Sequence, residues 1–399
     1  MREMKDSGVR WIGKIPTKWT IAKAKNCVEI QNGSDPKTEG SIPVYGSGSM
    51  SFKTCGEYKE GPSVLIGRKG ATLHIPNYIS SKFWNVDTAF NVYSKSIFDL
   101  KYYFYCAHVF DYTLYMSQTT LPSMTQTAYE NMFLPLPTKE EQYAIANQLD
   151  QICSKIDAVL EKTRASIEEY KKLKQAVITQ AVTKGIRGDR PMKDSGIEWI
   201  GEIPAEWDVV RIKNLFDYRN ERNFKPLEEV NLISLYTDKG VVQHCDLDET
   251  TGNKASNADG YKLVYENDIV VNIILCWMGA IGRSAYFGVT SPAYDVYSPK
   301  QKTNSKFYHY LFRTNGFSGD CYKVGRGIMA MRWRTYSDQF RAIKVVSPPQ
   351  SEQEEIVEYL DEKCEGIDDL IAKKQQYLTE IENYKKSLIY EYVTGKREV

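Results

Sequence analysis

The chain has 399 residues, of which 42% are hydrophobic and 26% are charged, an ordinary composition for a water-soluble protein of two or more domains. Its net charge of +1 gives no global sign of a polyanionic partner, although a local basic patch would be enough to bind nucleic acid. The sequence has no long apolar run, no signal peptide at its N-terminus and no zinc-ligand spacing among its eight cysteines, so we expect a cytoplasmic protein without a metal or a cofactor.

The first element in chain order is the phrase MKDSGVRWIGKIPTKW at residues 4–19, here called head 1. The phrase returns as MKDSGIEWIGEIPAEW at residues 192–207, called head 2. Two tryptophans and an Ile-Pro pair favour an anchor packed on a domain surface, because proline fixes the chain direction and tryptophan buries a large apolar area. No catalytic role is expected of either head. The repeat predicts two copies of one folding unit.

Each head is followed by a middle segment, residues 27–134 (middle 1) and residues 215–346 (middle 2), and the two differ in sequence. Both alternate short apolar runs with turn signals, as in NDIVVNIIL at 267–275, which predicts strands. Both also contain an aromatic stretch that is compatible with a helix, KYYFYCAHVF at 101–110 and SKFYHYLFR at 305–313. Each middle segment is therefore predicted to be a mixed α and β domain.

Each copy ends in a long amphipathic tail, and residues 140–183 align without a gap with residues 351–394. Apolar residues follow alternating steps of four and three in both tails, which is the spacing of a coiled-coil seam. Thr138 is a plausible N-cap of the first helix, and Ser351 is a plausible N-cap of the second. The predicted seam residues are Ile145, Leu149, Ile152, Ile156, Leu173, Val177, Ile356, Leu360, Ile367, Leu370, Ile381 and Leu388.

Two copies of one unit pack most simply about a pseudo-twofold axis, so we expect the tails to form antiparallel helices. The alternative is a coiled coil that joins two chains and carries two unrelated domains. The predicted fold class is α+β, with two mixed α and β domains separated by two long antiparallel coiled-coil helices. The predicted boundaries are 1–137 for the first domain, 138–187 for the first helix, 188–348 for the second domain and 349–399 for the second helix.

Known catalytic motifs are missing from the sequence. No GxxxxGK(S/T) phosphate loop is present, and SPPQ at residues 347–350 lacks the first and last residues of a base-methylating Asn/Asp-Pro-Pro-Tyr/Phe motif. The four histidines share no spacing, so each is expected to be structural. No catalytic residue is therefore predicted, and an enzyme with an unrecognised site is a competing hypothesis.

Basic and polar stretches of the middle segments are the candidates for contact with DNA. In residues 311–346 seven lysines and arginines stand against two aspartates, a local charge of +5, and arginine alternates with glycine and tryptophan. The equivalent stretch of middle 1, residues 117–131, is polar and nearly uncharged, and its amides and hydroxyls could read base edges. A solvated basic face is the alternative interpretation of residues 311–346.

Two glycine-flanked segments add basic candidates, Gly67-Arg68-Lys69-Gly70 in middle 1 and its approximate counterpart Gly279 to Arg283 in middle 2. Glycines let a backbone approach a partner closely, but they mark tight β turns equally well. The candidate DNA-binding residues are Arg68, Lys69, Gln118, Thr119, Ser123, Gln126, Arg283, Lys323, Arg326, Arg332 and Arg334.

The doubled DSGxxWIGxIPxxW head, the IGRKG and GAIGRS segments, the PxxxEQ helix entrance and the doubled tail resemble the specificity subunit of type I restriction-modification systems. The resemblance covers essentially the whole chain. It implies two target-recognition domains, each reading one half of a split, asymmetric sequence in double-stranded DNA. It also implies that the long helices act as a ruler between half-sites and dock two methyltransferase subunits, which hold the adenosyl-methionine and methylate adenine. Translocase-nuclease subunits would join this complex for restriction.

The resemblance thus implies a subunit that is not catalytic by itself. Middle 1 departs from the expected pattern, because its eight lysines and arginines stand against nine aspartates and glutamates. We therefore expect its intrinsic affinity for DNA to be low and the methyltransferase subunits to clamp the duplex. The competing hypothesis is a coiled-coil scaffold that presents two protein-binding domains and ignores DNA sequence.

Overall fold

The computed structural model describes residues 2–117, 122–244, 257–327 and 333–399. The chain divides into two compact units: unit 1 comprises Met1–Ser166 and Lys374–Val399, and unit 2 comprises Ile167–Lys373. Each unit contains one head, one middle segment and parts of both tails. The candidate residues Gln118, Thr119 and Arg332 lie outside the described residues.

The two copies begin and end with the same elements, but within the described residues the second copy has one more strand and one more short helix, α7. The first copy consists of β1 Met4–Asp6, β2 Lys14–Pro16, β3 Thr20–Lys23, α1 Ala24–Cys27, β4 Val28–Asn32, β5 Ile42–Tyr45, β6 Ser51–Cys55, β7 Ser63–Gly67, β8 Asn77–Ile79, β9 Trp84–Asn85, β10 Ala89–Ser94, α2 Leu100–Ala107, α3 Gln126–Asn131, β11 Phe133–Leu136 and α4 Lys139–Lys184. The second copy consists of β12 Met192–Asp194, β13 Glu202–Pro204, β14 Asp208–Arg211, α5 Ile212–Leu215, β15 Phe216–Arg219, β16 Ile233–Tyr236, β17 Gly240–Gln243, β18 Lys262–Val264, β19 Ile269–Asn272, β20 Ile281–Arg283, β21 Gly288–Thr290, β22 Tyr294–Pro299, α6 Ser305–Phe312, α7 Asn315–Val324, α8 Ser337–Ala342, β23 Lys344–Ser347 and α9 Gln350–Val393.

The two heads form the same hairpin with the same register. Strands β1 and β2 pair Met4 with Pro16, and strands β12 and β13 pair Met192 with Pro204. Gly13 takes a φ of 65° in the first hairpin, a conformation that glycine adopts without steric cost. The second tryptophan of each head is almost fully buried, as predicted for an anchor.

The middle segments share a four-stranded antiparallel sheet although their sequences differ. The strand order is β4-β10-β7-β8 in unit 1 and β15-β22-β19-β20 in unit 2. A two-stranded ribbon, β3 with β11 or β14 with β23, joins the strand after each head to the strand before each tail. The additional small sheets differ, being β6-β5-β9 in unit 1 and the pairs β16-β17 and β18-β21 in unit 2. The units therefore share a frame and differ in what is inserted into it.

The tails form two helices that pair in an antiparallel direction, as predicted. In unit 1 the Lys385 Nζ lies 2.6 Å from a carboxylate oxygen of Asp157, and in unit 2 the Lys174 Nζ lies 2.5 Å from a carboxylate oxygen of Asp368. Within unit 1, Arg164 also pairs with Glu382, so the step forward along α4 from Asp157 to Arg164 matches a step backward along α9 from Lys385 to Glu382. The repeat superimposes Asp157 on Asp368 and Lys174 on Lys385, so the two ion pairs are equivalent.

The buried face of the helices deviates from the predicted seam after the first turns. Ile145, Leu149, Ile356, Leu360, Ile367 and Leu388 are buried, and Ile152, Ile156, Val177 and Ile381 are half-buried. Leu173 and Leu370, however, are 48% and 42% exposed and do not belong to the buried face. Cys153, Leu160, Ile167 and Cys364 are buried in their place. The prediction of Leu173 and Leu370 as seam residues is therefore wrong.

The shift has a local cause. After Leu149 the buried positions advance by four residues to Cys153, and after Leu360 they advance by four residues to Cys364, where strict alternation requires three. Two successive steps of four residues move the buried face by one residue relative to the predicted seam. The predicted seam assumes 3.5 residues per turn, whereas a straight α-helix has 3.6.

The helix entrances agree with prediction in one copy only. Glu141 N donates to Thr138 Oγ1 at 3.3 Å, so Thr138 is the N-cap of α4. Helix α9 begins at Gln350, which places Ser351 inside the helix and Pro349 at the position of Thr138. The prediction that Ser351 caps the second helix is wrong, because the repeat aligns Pro349 and not Ser351 with the first N-cap.

Each unit buries its head against the end of a helix. In unit 1 the core contains Trp11, Ile12, Ile15 and Trp19 together with Leu388, Ile389, Tyr392 and Val393 from the end of α9. In unit 2 the core contains Ile197, Ile200, Ile203 and Trp207 together with Ile178, Ala181 and Val182 from the end of α4. Each core thus depends on the last turns of a helix that begins in the other unit. None of the helices in the described ranges combines the length and the apolar character needed to cross a membrane.

Candidate nucleic-acid interface

The helix entrance holds the head through a glutamate. In unit 1, Trp19 Nε1 donates to Glu141 Oε2 at 3.0 Å, and Arg2 Nη1 lies 3.0 Å from Glu141 Oε1. In unit 2 the corresponding residues are Trp207 and Arg190, which bind Glu352 at 2.9 Å and 2.7 Å. The glutamate of the PxxxEQ sequence is therefore a fixed link between head and helix.

The next residue holds the middle segment through backbone atoms. Gln142 Oε1 accepts from Asp99 N at 2.7 Å, just before α2, and Gln142 Nε2 donates to Ile97 O at 3.3 Å. In unit 2, Gln353 Oε1 accepts from Asn304 N at 2.9 Å, just before α6. Both glutamine side chains are buried. Because the partners are backbone groups, this contact fixes the start of α2 or α6 without requiring a particular side chain there.

A further clasp joins these short helices to the long ones two turns later. In unit 2, Asp361 accepts from Lys306 Nζ at 2.6 Å and from Tyr310 OH at 2.7 Å. The same contacts in unit 1 join Asp150 to Lys101 and to Tyr105. Sequence comparison missed this clasp because the middle segments align poorly, although Lys-x-x-x-Tyr recurs in both aromatic stretches. Burial and the adjacent carboxylate raise the pKa of Tyr105 and Tyr310, which keeps both hydroxyls protonated as donors.

In unit 1 the structure brings Arg68, Lys69 and Ser123 together. Lys69 and Ser123 form a β-bridge, and Ser117 bridges Ser123 in turn, so two loops meet at one point. Lys69 is exposed and Arg68 is half-buried, with its guanidinium 5.8 Å from the Phe90 ring centroid. These three candidates can therefore act on one ligand.

Gln126 has a structural role instead. Its Nε2 donates to Ile30 O at 3.0 Å and to Glu130 Oε1 at 2.8 Å, while its Oε1 accepts from Asn32 Nδ2 at 3.0 Å. With donor and acceptor both occupied, the amide is not free to read a base edge. Its prediction as a DNA-contacting residue does not agree with this geometry.

In unit 2 the equivalent loop is closed by two arginines. Arg326 N donates to Arg334 O at 2.8 Å and Arg334 N donates to Arg326 O at 2.9 Å, and both side chains are exposed. Trp333 stacks on Tyr322 with ring centroids 4.9 Å apart, and Trp333 Nε1 donates to Tyr322 O at 3.0 Å. This aromatic stack supports the base of the loop. Neither guanidinium has an ion-pair partner within the ranges that the structure describes.

Arg283 and Lys323 are engaged within unit 2. Arg283 Nε donates to Asn267 Oδ1 at 2.8 Å, and Lys323 Nζ lies 2.8 Å from Glu198 Oε2. The glycines around Arg283 had led to the expectation that this residue is the counterpart of Arg68. The strand order places the two residues at different positions. Arg68 follows β7, whereas Arg283 ends β20, and the residue that follows β19 at the position of Arg68 is Ile273. Unequal insertions between the strands explain the misalignment.

The histidines in the aromatic stretches are half-buried and structural in character. Burial lowers the pKa of His108 to about 4 and that of His309 to about 3, so both imidazoles are neutral at pH 7. His309 Nδ1 accepts from Arg283 N at 3.1 Å, which assigns the ring a role in holding β20. In the described part of the chain, His, Cys, Asp and Glu form no group that could hold a metal ion.

Comparison with known proteins adds three kinds of similarity. The chain is 27% identical over 298 residues to the type I restriction enzyme MjaVIII specificity subunit of Methanocaldococcus jannaschii, covering 70% of this chain and 66% of the relative. It is 28% identical over 292 residues to the putative MjaX specificity subunit of the same organism, covering 69% of this chain and 62% of the relative. The chain thus spans slightly less than two thirds of the length of these two relatives.

Longer matches extend the similarity over nearly the whole chain. The type I restriction enzyme EcoDI specificity subunit of Escherichia coli is 21% identical over 435 residues, covering 96% of this chain and 90% of the relative. A solved structure that is described as the basis of complex assembly and conformational transition of the type I R-M system matches with a TM-score of 0.69 at 12% identity. That match covers 96% of this chain and 99% of the solved one, and it shows a shared fold.

The model of one protein family matches the chain twice, once in each copy. It is the type I restriction modification DNA specificity domain, and the matches cover residues 16–169 and 204–382. Each match contains one middle segment and much of the tail that follows it. The chain therefore belongs to the type I restriction modification DNA specificity domain family.

Proposed function

We propose that the chain is the DNA-specificity subunit of a type I restriction-modification complex. Each unit reads one half of a split DNA target, and the target is asymmetric because the two middle segments differ. The long helices dock methyltransferase subunits, two in the simplest arrangement, and restriction subunits join through the complex. The chain selects the DNA without performing chemistry on it, and it acts in the cytoplasm.

One observation carries this proposal: two units share a frame but present different loops. The same Glu, Gln and Asp positions of the long helices hold both heads and both middle segments. The loop closed by Ser117 and Ser123 in unit 1 is closed by Arg326 and Arg334 in unit 2. Hydroxyls and guanidinium groups prefer different base edges, since arginine binds the guanine O6 and N7 pair whereas serine is less selective. A common frame with unlike loops is what two-part sequence recognition requires.

Mapping of modified bases tests the proposal. The chain is produced together with its methyltransferase subunits in a host without DNA methylation, and modified adenines are located by long-read sequencing. We expect one split motif with two unlike halves. Methylation without any common motif, or a motif that does not depend on this chain, would contradict the proposal and favour a protein-binding scaffold.

Arg334→Ala sharpens the test at one residue. The Arg334 guanidinium is exposed at the base of the loop, so its removal should weaken DNA binding by about 1–3 kcal/mol if it reads a base. The motif should then relax in one half only, as measured by the same modification map. Lys344→Ala is the matched control, because Lys344 is an exposed cation of the same basic stretch but belongs to β23. Relaxation of both halves by Arg334→Ala would contradict its assignment to one half-site.

A further inference from the structure

The two heads have the same fold but opposite charge. Within the sixteen-residue phrase, head 1 has four cations and one anion, whereas head 2 has one cation and four anions, which gives net charges of +3 and −3. Three aligned positions cause the whole inversion. Head 1 has Arg10, Lys14 and Lys18 where head 2 has Glu198, Glu202 and Glu206.

The fold of the hairpin does not require this difference. All six side chains are exposed, and the registers of the two hairpins are identical. The positions that are buried in both heads keep their residue types, namely the second tryptophan, the Ile-Pro pair and the isoleucine after the first tryptophan. The charge inversion therefore affects which ligands the exposed surface of each head can bind, and not the folding of the hairpin.

The acidic residues of head 2 are largely used within unit 2. Glu198 binds Lys323 at 2.8 Å, and Glu206 binds Arg190 at 2.9 Å. In head 1, by contrast, Arg10, Lys14 and Lys18 have no ion-pair partner among the residues that the structure describes. Three exposed cations on one hairpin give head 1 a positive charge that fits an anionic ligand.

Further cations surround this surface in unit 1. Lys14 lines a cavity of about 550 Å³ together with Arg2, Lys396 and Arg397, and Glu398 is the acidic residue of the same lining. Arg2 is already bound to Glu141 and to Glu398. Within the part of the chain that the structure describes, Lys14 has no ion-pair partner, whereas Lys396 donates to Ile12 O at 2.7 Å.

Positive charge is placed in different parts of the two units. Middle 1 has eight cations against nine anions, whereas residues 311–346 of middle 2 have seven cations against two anions. The affinity of proteins for DNA rests largely on cations at phosphates, so unit 1 needs a source of positive charge outside its middle segment. Head 1 is the part of unit 1 that has such a surplus.

We propose that head 1 binds the phosphate backbone of duplex DNA, with Arg10, Lys14 and Lys18 at phosphate oxygens. The inference rests on the proposed function and adds a contact surface outside the target-recognition segments. Phosphate contacts position a protein on the duplex and carry no base information. Head 1 therefore supplies affinity for the DNA on unit 1, while the loops of middle 1 supply selectivity.

The test is the salt dependence of binding to a random-sequence duplex of defined length. The full chain, alone and together with its methyltransferase subunits, is compared with the variant Arg10→Gln/Lys14→Gln/Lys18→Gln by fluorescence anisotropy at several KCl concentrations. Loss of three phosphate contacts should reduce the slope of log K against log salt by about 2.7 and weaken binding at 100 mM KCl at least tenfold. Lys14→Gln alone should reduce the slope by about 0.9, which gives a second variant with a smaller perturbation.

The matched control is Glu198→Gln/Glu202→Gln/Glu206→Gln, which neutralises the same three positions of the other hairpin. It should leave affinity undiminished and the slope unchanged. An unchanged slope and affinity of the head 1 variants would overturn the inference, while the modification map would still show a split motif. Loss of methyltransferase subunits from the head 1 variant with unchanged DNA affinity would identify a protein-binding surface and would also overturn it. Absence of DNA binding by the unaltered chain in every form would remove the proposed function as well.

Discussion

A half-buried lysine links the small sheet of unit 1 to its central sheet, and it has no carboxylate partner among the residues that the structure describes. Lys59 Nζ donates to Asn91 Oδ1 at 2.6 Å, to Asn85 Oδ1 at 2.8 Å and to Asn32 O at 3.0 Å. Burial lowers the pKa of Lys59 to about 8. Unit 2 has a buried lysine that does have a carboxylate partner, because Asp295 binds Lys262 Nζ at 2.9 Å. The side chains that bind the two lysines thus differ, since Lys59 has amide oxygens where Lys262 has a carboxylate.

This difference predicts a pH-dependent stability of unit 1. Between pH 8 and 10.5 the unfolded chain keeps the Lys59 proton that the folded chain has lost, so the free energy of unfolding should rise with pH in this window. Asn91→Asp places a carboxylate beside Lys59 Nζ, which should raise the pKa of Lys59 and flatten this rise. Urea unfolding at intervals from pH 7 to 10.5 measures both slopes. Parallel curves for the two proteins would show that Lys59 does not respond to its neighbour.

At the residue level, the sequence predicted the buried anchoring residues better than it predicted the hydrogen-bond partners of polar side chains. The buried tryptophans of the heads and the helix-entrance Glu and Gln could be recognised because they recur in both copies. The occupied amide of Gln126 could not, because its partners come from Ile30 and Asn32, about a hundred positions away along the chain. Polar side chains that are suited to bases are equally suited to backbone groups, and only tertiary structure separates the two uses.

At the level of elements, the true buried face of α4 predicts different costs for two leucines. Leu160→Ala should destabilise the protein by about 2–5 kcal/mol, because Leu160 is 3% exposed and its removal leaves a cavity. Leu173→Ala should cost no more than about 0.5 kcal/mol, because Leu173 is 48% exposed. Chemical denaturation of the two variants measures both changes. Equal losses of unfolding free energy in the two variants would support the strict heptad register that was predicted from the sequence.

Strand order shows where prediction of elements reaches its limit. The strands β10 and β22 were recognisable as apolar runs, and their sheets agree with the prediction of mixed α and β domains. Equating the loop at Arg68 with that at Arg283 failed, because sequence gives no strand order and insertions of unequal length separate the glycines. Hydrophobic pattern identifies a strand but does not identify its neighbours.

At the level of the whole molecule, each unit needs residues from a distant part of the chain. Unit 1 includes residues 374–399, and Tyr102 OH donates to Val393 O at 2.7 Å inside its core. Deletion of residues 374–399 should therefore unfold or loosen unit 1, while unit 2, which contains none of them, should keep its core. Hydrogen exchange of α2 compared with α6 measures the difference, with faster exchange expected in α2.

Ile178→Asp provides the opposite case. Ile178 is buried in the core of unit 2, near the end of α4, so its replacement by a charge should increase exchange in α6 and spare α2. Equal effects of both changes on α2 and α6 would mean that the chain unfolds as a single cooperative body.

The duplicated sequence predicted two units, but it did not predict that each is completed by the helix of the other copy. That exchange follows from antiparallel pairing of the tails.

The glutamine of the helix entrance has a consequence for how new specificities arise. Gln142 and Gln353 hold the middle segments by peptide groups at Asp99 and Asn304, not by the side chains of those segments. A foreign domain with a short helix at the same place would offer the same peptide groups. Recombination on both sides of a middle segment could therefore replace that segment while the peptide-group contact at the helix entrance is kept.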